Sequence, residues 1–253
     1  NNRKFILKYM KFSEMPKFVI NLEKRKDRLE FIKKEMEYIG WDYNLVYGYD
    51  VNSFHGLTLS HLDIIEIAEK NNYENVMIIE DDHTFMPYSK SLIEQLEKEL
   101  ENIEFGFLNL SPTLNRPVNI SKESKYLIDL TNLPEKMEHH SGIFATNMII
   151  YNKSSFELLK KVKEDNLVNY YGVDQHIDKY ILPNVQSYCP ILPLGAQCYG
   201  WSDISHGDYN NWYAQTYNFN GYSPYKLPGE YCDYDRVQEM KINKQHHTFN
   251  YVD

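Results

Sequence analysis

NVMIIEDDHTF, residues 75–85, is the stretch on which the fold turns. Val76 to Ile79 form an apolar run that reads as a buried strand, and it ends abruptly in Glu80-Asp81-Asp82. Three adjacent carboxylates repel one another and cost stability when partly buried. In open α/β sheets, ligands bind beyond the carboxyl ends of the strands, where this triplet falls. Hard oxygen donors suit Mg²⁺ or Mn²⁺, and such ions bring phosphate oxygens with them. The stretch alone therefore has two readings of equal standing: a divalent-metal clamp for a diphosphate, or a solvated acidic turn.

Working outward, strands alternate with helices. KFVINL (17–22) reads as a strand, followed by a helix on Leu29, Ile32, Met36 and Ile39. Asp27 and Glu30 have capping-box spacing, and Gly40 sits where a helix stop belongs. NLVYGYD (44–50) is a second strand, and residues 58–72 are a helix with Ser60 as N-cap and Asn71-Asn72 at its exit. An amphipathic helix at 90–103, strands at 105–110 and 147–151, a helix opened by Ser154 and Glu157, and a short helix at 173–181 continue the pattern. Such alternation predicts βαβ units and a largely parallel sheet with helices on its faces. From about residue 186 the periodicity fails. The expected organisation is a basic stub (1–16), one α/β domain (17–205), and a Tyr-rich arm (206–253) packed on that domain.

The chain has 253 residues, and its net charge of −9 argues against a general nucleic-acid surface. An acidic protein that binds an anion needs a metal ion or a local basic cluster. No apolar run reaches membrane-spanning length and no signal peptide is visible, so a soluble protein is expected. Cys189, Cys198 and Cys232 lack metal-ligand spacing and read as ordinary thiols. Glu80-x-Asp82-x-Thr84 mimics an Asp-x-Asp phosphatase motif, but that chemistry needs an Asp nucleophile where Glu80 stands.

Six segments, in order between residues 17 and 205, resemble glycosyltransferase family 25, which includes collagen hydroxylysine galactosyltransferases, giant-virus relatives and lipooligosaccharide galactosyltransferases. The first strand ends in Asn21-Leu22, followed by Arg25, Asp27 and Arg28. YGYDV is similar to the second-strand segment through Asp50. Gly56, Ser60, His61 and Leu62 precede Glu-Asp-Asp. NMIIYNKSSFELLKKV looks like the later strand and helix, with Thr146-Asn147 replacing the usual Gly or Ala-Tyr. Asp174 in YGVDQ matches a Pro-Val-Asp segment, and Ser202-Asp203 match a final Ser-Asp.

The resemblance implies a GT-A fold, a UDP-sugar donor and Mn²⁺ (or Mg²⁺). On it, Asp82 is the main metal ligand, Glu80 binds metal or ribose, and Asp81 faces either way. Asp203 is the first choice for a second ligand and His206 the next. Asn21, Leu22, Arg25, Arg28, Asp50 and Ser60 belong to the nucleotide side of the site, and Trp201 contacts acceptor or donor sugar. Asp174 is the general base of an inverting transfer of galactose or glucose to a hydroxyl, with hydroxylysine of a collagen-like protein among the acceptors. The alternatives are an inactive nucleotide-sugar or glycan-binding module, or a transferase acting on a lipopolysaccharide-type glycan. A viral member would work in the host cytoplasm.

Overall fold

The computed structural model describes residues 11–51, 54–114, 124, 126–131, 143–166, 168, 171–198, 200–203 and 207–209. A 3-10 turn at Phe12–Glu14 precedes β1 (Lys17–Asn21), which is buried along its whole length. Phe12 and Met15, within the expected stub, are buried in the core, and the Phe12 N–H donates to Glu97 Oε1 at 2.6 Å.

Helix α1 (Lys26–Ile39) begins without the expected capping box. The Asp27 carboxylate instead accepts from Arg25 Nε and Nη2 (2.9 and 2.7 Å), and Glu30 pairs with Lys33. Opposite charges one turn or less apart win these acids away from the backbone. Gly40 ends the helix at φ +78°, and its N–H and that of Trp41 both donate to Met36 O.

The edge strand β2 (Asn44–Tyr47) is shorter than expected. Residues 48–51 leave it after Gly48 N–H donates to Asn21 O at 2.9 Å. Helix α2 (His55–Lys70) starts earlier than expected, so Ser60 is not its N-cap. Ser60 lies inside the helix and its hydroxyl donates to Gly56 O at 2.9 Å. Gly56 permits the early start, since a Cβ there would lie 2.6 Å from Tyr49 O.

The rest of the chain supplies β3 (Asn75–Glu80), β4 (His83–Phe85), α3 (Ser89–Leu100), β5 (Phe107–Asn109), β6 (Thr113–Leu114), β7 (Leu127–Asp129), β8 (Ile143–Phe144) and β9 (Met148–Asn152). Helix α4 (Lys153–Glu164) is capped by Asn152, whose side chain accepts from Ser154 N–H, so Ser154 is not the cap. Helix α5 (Val173–His176) runs into a π-helical turn, Ile177–Ile181. Strands β10 (Ser187–Pro190), β11 (Gly195–Gln197), β12 (Gly200–Ser202) and β13 (Gly207–Tyr209) complete the described elements.

Seven strands form the main sheet in the order β2-β1-β3-β9-β5-β10-β7. β1 runs parallel to β2 and β3, and β5 parallel to β10, while β9 and β7 oppose their neighbours. Five strands thus point one way: an α/β architecture with a predominantly parallel sheet flanked by helices. The pleat of β3 shows why its apolar run is continuous. Val76 and Ile78 pack with α2 and α4, through Leu62, Ile65, Phe156 and Leu159. Met77 and Ile79 pack with α1 and α3, through Ile32, Met36, Leu92 and Leu96. A strand buried on both faces has no polar alternation to show, and each such side chain contributes about 1.5–3 kcal/mol.

Candidate active site

β1 and β3 are parallel neighbours, with Ile20 opposite Glu80, so their carboxyl ends open together. A pocket with a cavity volume of about 80 Å³ lies there. Its walls include Leu22, Arg28, Asp50, Ser60, the acids Glu80, Asp81 and Asp82, and Asp203. Residues spread over most of the chain are brought together at one end of the sheet.

The three acids have different surroundings. Asp81 has both oxygens occupied: Asn21 Nδ2 donates to Oδ2 at 2.7 Å and Arg28 Nη1 to Oδ1 at 2.9 Å. Asn21 also donates to Arg25 O, which ties the first turn of α1 to the strand end. Asp82 is different. Arg28 Nη1 (3.1 Å) and Gln197 Nε2 (2.9 Å) both approach Oδ2, while Oδ1 is buried without a hydrogen-bond partner among the described residues. Glu80 accepts from the Thr146 hydroxyl at 2.8 Å. Burial, reinforced by the Asp82 charge, pushes the Glu80 carboxyl up to about 8. Burial also raises Asp81 above the usual carboxylate range, against the pull of Arg28.

The mouth is a second charge network. Arg25, held by Asp27, donates to Asp203 Oδ2 at 2.5 Å, and Lys24 bridges Asp50 (2.6 Å) and Asp203 (3.4 Å). Burial works to raise Asp203, but the Arg25 hydrogen bond and the charges of Arg25, Lys24 and Arg28 outweigh it and hold this carboxyl below its ordinary range. Asp203 thus faces the pocket with its carboxylate engaged by two cations.

Asp174 does not line the pocket. It sits in the first turn of α5, where its Oδ1 accepts from Gln175 N–H at 2.9 Å, and α5 packs against α2. Trp201 and Ser202 belong to β12, immediately before Asp203. His206, the His139-His140 and His246-His247 pairs, Cys232 and the arm beyond Tyr209 lie outside the described residues.

Two contributors escaped sequence reasoning, Gln197 and Thr146. Gln197 reaches Asp82 across 115 residues and Thr146 reaches Glu80 across 66, so no local pattern announces either. The Thr146-Asn147 departure from the family pattern was the one available signal. Ala145, just before it, has φ +65°, and its carbonyl accepts from Asn109 Nδ2 at 2.8 Å. A non-glycine residue in the left-handed region must be held there by its surroundings. Here that conformation precedes the residue that meets Glu80.

Among the described residues, no three of His, Cys, Asp or Glu form a ready-made metal-binding group, and no helix is long and apolar enough to cross a membrane.

No family model and no curated protein matches the chain. It is similar to several solved structures. One is a glycosyltransferase involved in the glycosylation of the major capsid of PBCV-1, with 12% identity, 74% of this chain and 95% of that one covered, and a TM-score of 0.45. Another is A197 from STIV, with 9% identity, 74% and 83% covered, and a TM-score of 0.41. A third is the inositol-1-phosphate CTP transferase from T. maritima, with 11% identity, 72% and 86% covered, and a TM-score of 0.41. The resemblance to family 25 accordingly rests on its six motifs, and the functional argument on the side chains of the pocket.

Proposed function

We propose that this chain is a glycosyltransferase that binds a UDP-hexose, galactose or glucose, in the pocket beyond β1 and β3 and transfers the hexose to a hydroxyl acceptor. The observation that carries this reading is Asp82 Oδ1, a carboxylate oxygen of a pocket residue that is buried without a partner among the described residues. An orphaned acceptor beside other buried acids fits a cation. Mg²⁺-type ions are commonly held by one or two carboxylates plus substrate phosphates rather than by an all-protein cage. Asp82 would hold the ion, with Glu80 beside it. Such an ion would supply positive charge to offset the charge on the departing UDP.

The chain's own groups supply the rest. Arg28 and Asn21 fix Asp81, and with it the floor of the site. Diphosphate oxygens would compete with Asp203 for Arg25, whose fork suits phosphate, and the carboxylate so released is the second oxygen donor in our assignment. From the family-25 resemblance we carry forward Asp174, on α5 outside the pocket wall, as the base that would take the proton of the acceptor hydroxyl as that oxygen bonds to the anomeric carbon and the bond to UDP breaks. This assignment requires inversion. For the acceptor, we carry forward the two classes of the family-25 resemblance, a hydroxylysine peptide of collagen type or a lipopolysaccharide-type glycan.

One observation favours a second reading, a nucleotide-sugar-binding module without turnover: Arg28 already spans Asp81 and Asp82, as a structural ion pair would. The deciding experiment is hydrolysis of UDP-galactose and UDP-glucose with Mn²⁺ and with EDTA, followed by an acceptor panel that includes hydroxylysine peptides. Turnover abolished by EDTA supports the transferase. Binding of UDP-sugar without any turnover supports the module.

A further inference from the structure

Strand β11 lies in none of the family-like motifs. It pairs antiparallel with β4, and Gln197 lies opposite His83, next in the chain to Asp82. The end of β11 grips Asp82 twice. Cys198 N–H donates to the Asp82 main-chain oxygen at 2.6 Å, and Gln197 Nε2 donates to the side-chain Oδ2 at 2.9 Å. This grip depends on a very close approach of the two strands. A Cβ at Gly195 would lie 2.2 Å from His83 Cε1. Arg28 also approaches Oδ2. Among the described residues, one oxygen of the carboxylate therefore faces two donors and the other, buried, faces none.

We infer that Gln197 is a positioning residue for Asp82: by holding Oδ2 it fixes the rotamer and leaves Oδ1 as the oxygen presented to a divalent cation. This rests on the reading of Asp82 as a metal ligand. A carboxylate free to rotate would share both oxygens with Arg28, and ligation would then have to break that pairing. Groups that orient a metal ligand typically set metal affinity within 10–100-fold.

The test is Mn²⁺ binding by electron paramagnetic resonance, in the presence of UDP and without turnover. Gln197→Met keeps the reach and removes the donor. It should raise the Mn²⁺ dissociation constant about tenfold. Gln197→Asn keeps the amide but shortens its reach, a gentler lesion that should shift affinity in the same direction and guards against misfolding of the first variant. In an Asp82→Asn background, Gln197→Met should weaken Mn²⁺ no further, because it acts through Asp82. An unchanged dissociation constant, or an equal loss in both backgrounds, overturns the inference while leaving the proposed function standing. A parent protein that binds no Mn²⁺ with UDP present overturns both.

Discussion

The carboxyl ends of β1 and β3 and the segment formed by α5 and its π-helical turn treat polar groups in opposite ways. At the strand ends, acids are crowded, and cations and amides from distant segments answer them: Arg28 and Asn21 on Asp81, Gln197 on Asp82, Arg25 on Asp203. In the α5 segment, His176 is fully buried between Tyr171 and Tyr180. One region concentrates charge that a ligand can reorganise. The other keeps an imidazole neutral. The lesson is that burial alone does not mark a site. What marks the strand ends is burial combined with a surplus of one charge and an oxygen left over.

That contrast can be broken in several places. Asp82→Asn should have the largest effect, cutting UDP-sugar turnover on the order of 10³-fold or more while the protein melts near the parent temperature. Steady-state rates in Mn²⁺ and a thermal scan measure both, and near-normal activity in EDTA would remove Asp82 from the site. Gly195→Ala is next. Its Cβ meets His83 rather than open space, so overpacking should cost about 3 kcal/mol by denaturant titration.

The α5 segment sharpens the comparison from the other side. Asp174→Asn should bind UDP-sugar normally and melt near the parent temperature, yet lose transfer by roughly 10²-fold. The transfer product should show the inverted anomer by NMR, and a retained linkage excludes Asp174 as the base. His176 predicts an acid response. Burial lowers its pKa to about 4 from an ordinary 6.5, so the unfolded chain takes up a proton more readily than the folded one. The stability owed to the neutral ring is complete above pH 6.5 and is lost as pH falls toward 4, a loss of about 2 kcal/mol by pH 5. His176→Phe should flatten that part of the pH–stability curve. Gly40→Ala should be mildest. Nothing lies within 4 Å of its Cβ position, so only the strain of φ +78° remains, about 1 kcal/mol.

Much of the scaffold was legible before any coordinates. The β3 run, the stripe of α1 and the Gly40 stop follow from local rules: apolar period, burial and the freedom of glycine at positive φ. The caps were misread where a competing partner sat nearby. Asp27 belongs to Arg25, Asn152 takes the place of Ser154, and Gly56 lets α2 begin ahead of Ser60. The first two are short-range bonds that spacing alone does not rank, and the third is a close approach that only glycine allows.

The sequence by itself determined that the carboxylates of residues 80–82 stand at the end of a doubly buried strand, because a continuous apolar run followed by charge admits few other placements. It also determined that Asn21 closes the first strand and that Arg25 and Arg28 follow it. Only the tertiary structure decided which acid keeps an oxygen free. That depends on donors from Thr146, Gln197 and Arg28 meeting the three acids in space, and on Gly195 allowing β11 close enough to do so. Hydrogen bonds reach about 3 Å whatever the chain separation, so contacts made across 66 and 115 residues leave no periodic trace to read.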